Sequence, residues 1–476
     1  MRRIQVDFSK KLRDWDGFGV TYVETAQTPD YDIYPQDYGG FGILHETDRS
    51  KILDMIFGED GLKPGLTKMF LDPFHQKAEN TNNSELETID LNNYDHKTTT
   101  RWMRYFVHEG LRRIREQKGD LKIITTLYGP PGWMTKQGFV RGRDLAPQHK
   151  LECVKYMISW AKYLREKENL PVKYISFHNE GESYYRWPED GSSPHWESGH
   201  DYNMLWSPEQ VVEFLKIMRE MLDKQGMADV GLTPGETTNL YKFLEWGYAY
   251  ALADDPQALS NLGLITSHGF IAMTSDPKYI RFYGDHRSAG FDIIREKRPD
   301  LHCWITSASW SKMDVHFVNQ IRGHIYSSKI NALIPWAITQ KEGDWKGGDP
   351  NPGTAFRVHA DGSFSVQPGY YYYKQVCRAG QAGMSVARVI CNDSEVGLIA
   401  FGANGTDNPD AFIVLNLSNE VKKLDINIIG TTCKSFQGFR TSPVENYIPL
   451  GRFTAESGVV NCEVPAGSVT TFYGIK

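Results

Sequence analysis

Between residues 14 and 374, eight short apolar runs alternate with long stretches of helical pattern, and this alternation limits the architecture more than any other feature of the chain. The runs lie at 17–23, 67–72, 122–127, 172–177, 229–233, 264–267, 302–306 and 332–336, and most have the length and composition of buried strands. Between them, 98–117 and 149–167 carry apolar residues at three- and four-residue spacing. Ser207, followed by Pro208, is a candidate N-cap for a further helix over 207–224. Strands that alternate with helices pair in parallel, because each helix supplies the crossover. Eight such units predict an α/β fold, a closed (β/α)₈ TIM barrel with long loops. An open doubly wound sheet would want a glycine-rich phosphate loop after its first strand, and Gly17-Phe-Gly19 is too short for one.

After Tyr373 the texture changes. Short strand-like runs at 385–390, 396–401, 411–416, 423–429, 432–441, 458–464 and 468–474 are separated by Gly, Asn, Asp and Pro, the spacing of an antiparallel β-sandwich. Residues 3–8 also read as a strand and are expected to pair with this unit. The division that follows is a barrel over 14–374, with 1–13 and 375–476 forming the side domain.

Composition excludes several classes. A formal net charge of −6 and the lack of a dense basic run argue against a nucleic-acid surface. No run of 18 apolar residues exists to span a membrane. The opening Met-Arg-Arg-Ile-Gln-Val-Asp has no apolar stretch after its charges, so no signal peptide is expected and the compartment stays open. The six cysteines show no zinc-like spacing and are expected as free, packed thiols. The 12 Trp and 25 Tyr suit the half-wet walls of a sugar cleft, and equally a large aromatic core.

The chemistry sits at the predicted strand ends. The fourth strand finishes in His178-Asn179-Glu180, an amide that can orient a sugar hydroxyl beside a carboxyl able to act as proton donor. After the third strand, Pro130 and Pro131 stiffen the loop that presents Trp133 as a platform for a pyranose face. Asp72, near His75, follows the second strand. Glu236 follows the fifth, His268 the sixth, and Trp336 ends the eighth.

In that order the residues resemble the retaining glycosidases with (β/α)₈ barrels, most of all glycoside hydrolase family thirty. Asn179-Glu180 is similar to the acid/base motif of that clan, and Pro130-Pro-Gly-Trp-Met134 resembles a loop of the family. Cys303-Trp-Ile-Thr-Ser-Ala-Ser-Trp310 looks like its seventh-strand motif, and residues 464–472 resemble the last strand of its side sandwich. The resemblance implies a carbohydrate substrate with β-linked sugars, double displacement with retention, and no cofactor or metal. It further implies Glu180 as general acid and base, with Asn179, Trp133, His268, Trp310 and Trp336 shaping the donor-sugar pocket.

One departure governs the expected activity. Where the family carries its glutamate nucleophile, this chain has Ser307. A serine hydroxyl brings no negative charge to an oxocarbenium-like transition state, so hydrolysis is expected to be severely impaired. Three explanations compete: an engineered exchange that keeps binding while stopping turnover, as in a glycosynthase; a natural glycan-binding protein that lost its nucleophile; or catalysis by another carboxylate, with Glu236 and Glu182 as candidates. A second departure is Phe270, near which relatives carry a tyrosine; Tyr283 is expected to fill that space. The loops over 190–205 and 343–356 are long enough to cover the cleft.

Overall fold

The computed structural model describes residues 4–26, 36–78, 88–182, 187–191, 202–271, 287–342 and 353–475. The first strand, β1 (Ile4–Asp14), belongs to a side sheet. The central sheet consists of β2 (Gly17–Thr21), β3 (Leu66–Leu71), β4 (Lys122–Leu127), β5 (Val172–Ser176), β6 (Gly231–Thr233), β7 (Ile265–Ser267), β8 (Cys303–Ala308) and β9 (Ala332–Pro335). Their order is β6-β5-β4-β3-β2-β9-β8-β7, with every pairing parallel. The two edges meet through parallel bridges, Leu232 to Leu262 and Thr237 to Ser267, so the sheet closes into the predicted barrel. All eight runs read from the sequence are strands.

Side chains alternate along a strand, and the inward set forms layers. Leu66, Ile124, Leu264, Trp304 and Ile334 make one apolar cluster spanning neighbouring strands, with the Trp304 indole N–H donating to Asp16 at 2.7 Å. Two residues further along their strands stand Lys68, Thr126 and Thr306, all buried. The barrel interior thus changes from apolar to polar toward the C-terminal strand ends. Outside it, the helix Pro208–Lys224 starts as the sequence predicts: the Ser207 hydroxyl accepts the Gln210 N–H at 3.2 Å, with Pro208 in the first turn. Between β6 and β7 three short helices replace a single long one. Gly247, at φ +86°, separates the first two, and Asp255-Pro256 ends the second, because the residue before proline avoids helical backbone.

A small sheet of β10 (Thr339–Lys341), β11 (Phe356–Val358) and β12 (Phe364–Val366) follows. The last strands are β13 (Ser385–Cys391), β14 (Val396–Gly402), β15 (Ala411–Asn416), β16 (Lys422–Ile429), β17 (Ser435–Ser442), β18 (Glu445–Thr454), β19 (Val459–Val464) and β20 (Val469–Ile475). With β1 they form a nine-stranded, mostly antiparallel sheet folded as a side sandwich around Val6, Leu398, Phe412, Ile426 and Phe472. The β1 strand is antiparallel to β13 and parallel to β16, so the N-terminal strand does pair with the C-terminal unit. The sequence reading missed β18. Pro449 and Gly451 break its alternation, and both features are tolerated because β18 is an edge strand, largely open to solvent. All six cysteines are free thiols, five of them buried. No described helix is long and apolar enough to cross a membrane.

Candidate active site

Past the end of β5 the chain keeps its place in the barrel wall. Asn179 bridges Glu236 in parallel, the Glu236 N–H donates to the His178 carbonyl at 2.8 Å, and the Glu180 N–H donates to the Glu236 carbonyl at 2.6 Å. The two acidic residues are therefore locked beside each other on neighbouring strand ends. Glu180 turns the chain through φ +52°, a left-handed conformation that costs a non-glycine residue about 1–3 kcal/mol, and the Asn203 amide holds its carbonyl at 3.1 Å. Gly235 makes this close approach possible. It stands at φ +102°, and a Cβ there would lie 2.1 Å from the His178 ring. Gly235→Ala should destabilise the fold by roughly 2 kcal/mol or more. Urea denaturation measures this directly, and an unchanged midpoint would contradict the packing described.

His268, just beyond β7, joins the two carboxylates. Its Nδ1 lies 2.8 Å from Glu180 Oε1 and its Nε2 lies 3.0 Å from Glu236 Oε2. With both carboxylates ionised, both ring nitrogens must donate, so the ring is an imidazolium. Burial opposes that charge, yet the hydrogen bonds to Glu180 and Glu236 outweigh it and raise His268 above the ordinary histidine range. His178, equally buried but without a carboxylate in hydrogen-bonding contact, goes the other way: burial holds it down at about 4. Its Nδ1 accepts the Gly181 N–H at 3.1 Å, as a neutral ring can.

Glu236 is saturated with donors. The Thr126 hydroxyl reaches Oε1 at 2.6 Å, while Lys68 Nζ and His268 share Oε2. Burial alone would raise this carboxyl, but Lys68 and His268 together bring it down to about 2. A carboxylate so fully engaged is a weak nucleophile and a strong electrostatic anchor. Glu182 is occupied separately, accepting from the Thr238 N–H at 2.9 Å with Lys242 Nζ 3.7 Å away.

Ser307 lies beside this cluster, its carbonyl accepting the N–H of Gly269, the residue after His268, at 2.7 Å. The β8–β9 register is broken there: Ile305 faces Leu333 but Ala308 faces Pro335, three steps against two. The irregularity places Ala308 with Ile305 in the helix-facing core and turns Ser307 toward the barrel side. Its hydroxyl is buried and has no hydrogen-bond partner among the described residues.

The other predicted residues divide. Trp336 stands in an aromatic wall with Phe70, Tyr128 and Tyr202, its indole N–H donating to the Tyr38 hydroxyl at 3.2 Å. Trp133 is fixed at the rim between β3 and β4, donating to the Gln76 carbonyl at 3.2 Å and edge-on to His149. Asp72 is buried and spends its oxygens on His75 and the Phe74 N–H. Trp310 departs from the expected pocket: it is fully buried, packs on Phe317 and Tyr373, and donates to the Trp336 carbonyl at 2.8 Å, so it supports the wall from behind. Phe270 meets His268 edge-on at 5.4 Å. Tyr283 and parts of both long loops lie outside the described residues. Lys68 and Thr126 were missed, although a lysine within the apolar run 66–71 was a signal: an inward-facing cation in a buried strand must have a buried partner.

No known family profile matches the chain, and no curated protein matches it. Solved structures do. A family 30 glycoside hydrolase endoxylanase from Clostridium papyrosolvens superposes with a TM-score of 0.67 over 100% of both chains at 15% identity. The catalytic domain of a family 30 xylanase from Talaromyces cellulolyticus gives 0.70 over 100% of both at 14% identity. An endo-β-1,6-glucanase gives 0.71 at 14% identity, over 100% of this chain and 95% of that one. In fold, the chain is close to glycoside hydrolase family 30.

Proposed function

We propose that this barrel is that of a retaining β-glycosidase in which Glu180 is the acid and base, and in which position 307, held here by serine, is the nucleophile site. The observation that carries the reading is a carboxyl, Glu180, at the end of β5 and in contact with His268 at the end of β7, with Ser307 at the end of β8, the strand beside β7. Likeness in fold to xylanases and a β-1,6-glucanase supports a carbohydrate substrate. In such a reaction Glu180 protonates the departing glycosidic oxygen while a carboxylate at 307 attacks the anomeric carbon. Glu180 then removes a proton from the water that releases the sugar. Glu180 carries a proton into the first step and is ionised between steps, when the His268 imidazolium, kept charged by Glu236, donates a hydrogen bond to that carboxylate. The Trp336 wall would flank the sugar, and Asn179 would orient a hydroxyl.

With Ser307 in place the first step lacks its attacking group, and the chain should bind glycans with very slow turnover. Azide tests this without mutation. It is small enough to enter the space a carboxylate would take, and attack from that side of an aryl β-glycoside yields the α-glycosyl azide. Formation of that product is the expected result; a β-azide, or none, would count against position 307. The Ser307 hydroxyl, buried and without a hydrogen-bond partner among the described residues, also favours a second reading, a natural glycan-binding protein, in which binding persists but no exchange at 307 yields turnover.

A further inference from the structure

The helix Pro368–Ala379 packs against β2 of the barrel and against β15, β17, β18 and β20 of the side sheet. Its C-terminal half borders a cavity of about 350 Å³ at the junction of the two. Asp60 and Lys63, which precede β3, also line it, so it lies at the opposite end of the barrel from Glu180.

The cavity concentrates positive charge on a chain whose net charge is −6. Lys63, Lys374 and Arg378 face it with Asp60 as the one acidic residue in its lining, and none of the three cations makes an ion pair among the described residues. Arg378 is fixed by donating Nη1 to the carbonyls of Glu59 at 2.8 Å and Gly61 at 2.9 Å. Lys374 Nζ stands 4.7 Å from the Tyr447 ring centroid. Burial and the neighbouring Arg378 charge push Lys374 down to about 8, a strain that an incoming anion would relieve.

Two lining residues have backbone conformations that normally require glycine: Lys63 at φ +56° and Tyr447 at φ +54°. Strain of this kind gathers where a ligand is clamped. The remaining lining mixes polar groups with apolar faces, as a sugar ring requires: the amides of Gln381 and Asn408 and the paired phenols of Tyr447 and Tyr473, 2.9 Å apart, beside Pro409 and Phe439. The volume is more than a bare inorganic anion fills and lies at the small end of small-molecule sites.

We infer that this junction cavity binds an anionic sugar residue, a uronate or a sugar sulfate, with its charged group against Lys63, Lys374 and Arg378 and its hydroxyls against the amides and phenols. The site is independent of the Glu180 cluster, so the failure of either reading leaves the other standing.

Calorimetric titration of the full chain at constant ionic strength with glucuronate, glucose 6-sulfate, glucose and inorganic sulfate tests it. At least one of the two anionic sugars should bind more tightly than glucose and than sulfate, and which of them binds identifies the charged group. Lys374→Met should weaken that binding roughly tenfold, the scale of one lost charge-assisted contact. Lys63→Gly should do the same, and it accommodates the left-handed backbone, so it carries the test if Lys374→Met fails to fold. Binding of neither anionic sugar, equal affinity for glucose or inorganic sulfate, or affinity unchanged in the folded variants would each overturn the inference.

Discussion

Ser307→Glu should turn this chain into a hydrolase of aryl β-glycosides, with kcat/KM rising by roughly 10⁴-fold or more. Removing a covalent nucleophile has cost up to about 10⁶ in kcat elsewhere, which is about 8 kcal/mol of transition-state stabilisation. The local backbone already favours the exchange: the register break in β8 turns residue 307 toward the barrel side, and the serine hydroxyl has no partner there among the described residues that a glutamate would displace. The product should retain the β configuration, which NMR of the freshly released sugar reads before mutarotation. A carboxylate at 307 would also repel the Glu180 carboxylate, so the acid limb and the alkaline limb of the pH profile should belong to the pair rather than to either residue. A panel of glucosides, galactosides, xylosides and fucosides with no turnover, in a variant shown by circular dichroism to be folded, would leave the glycan-binding reading in its place.

Lys68→Met should destabilise the protein by about 3–5 kcal/mol, because it leaves Glu236 charged and fully buried without its strongest counter-charge. Adding Glu236→Gln should recover much of that loss, since the buried charge is then gone from both sides. Equal stability of the single and double variants in urea would show that the pair is not coupled. The same pair sets an acid limit. The Glu236 carboxyl falls from its usual 4.5 to about 2 on folding, so its contribution is complete above the unfolded value and is lost as the pH drops through that interval. Stability of the unaltered protein should therefore decline between about pH 4.5 and 2 with a slope that Glu236→Gln removes.

Much of the barrel was legible because its strands are buried on both faces and read as short apolar runs with little ambiguity. The N-terminal strand was legible from the short run at its start, of which Ile4–Asp7 are buried in the side sheet while most of the rest of β1 is open to solvent. The β18 strand was not, since an edge strand carrying Pro449 has only one face to bury and no regular alternation to show. At the site, Glu180, Glu236 and His268 could each be named from their strand ends, but nothing local indicated that one imidazole would join the two carboxylates. Trp310 looked like a pocket residue for the same reason that Trp336 did, an aromatic near a strand end. Which of them joins Phe70 and Tyr128 depends on the course of the chain after β8, and Trp310 is held instead by packing on Phe317 and Tyr373.

By itself, the order of residues determined the barrel, the side sandwich, the strand ends that carry chemistry and the serine at position 307, because periodicity and turn chemistry act over a few residues. Only the tertiary structure decided that Lys68, a lone cation in an apolar strand, meets Glu236, which follows it 168 positions later, and that a break in register turns Ser307 toward the barrel side. Both depend on closure of the sheet. A buried charge takes whatever partner the neighbouring strands bring within reach, and the stagger of those strands is a property of the whole barrel, not of any segment.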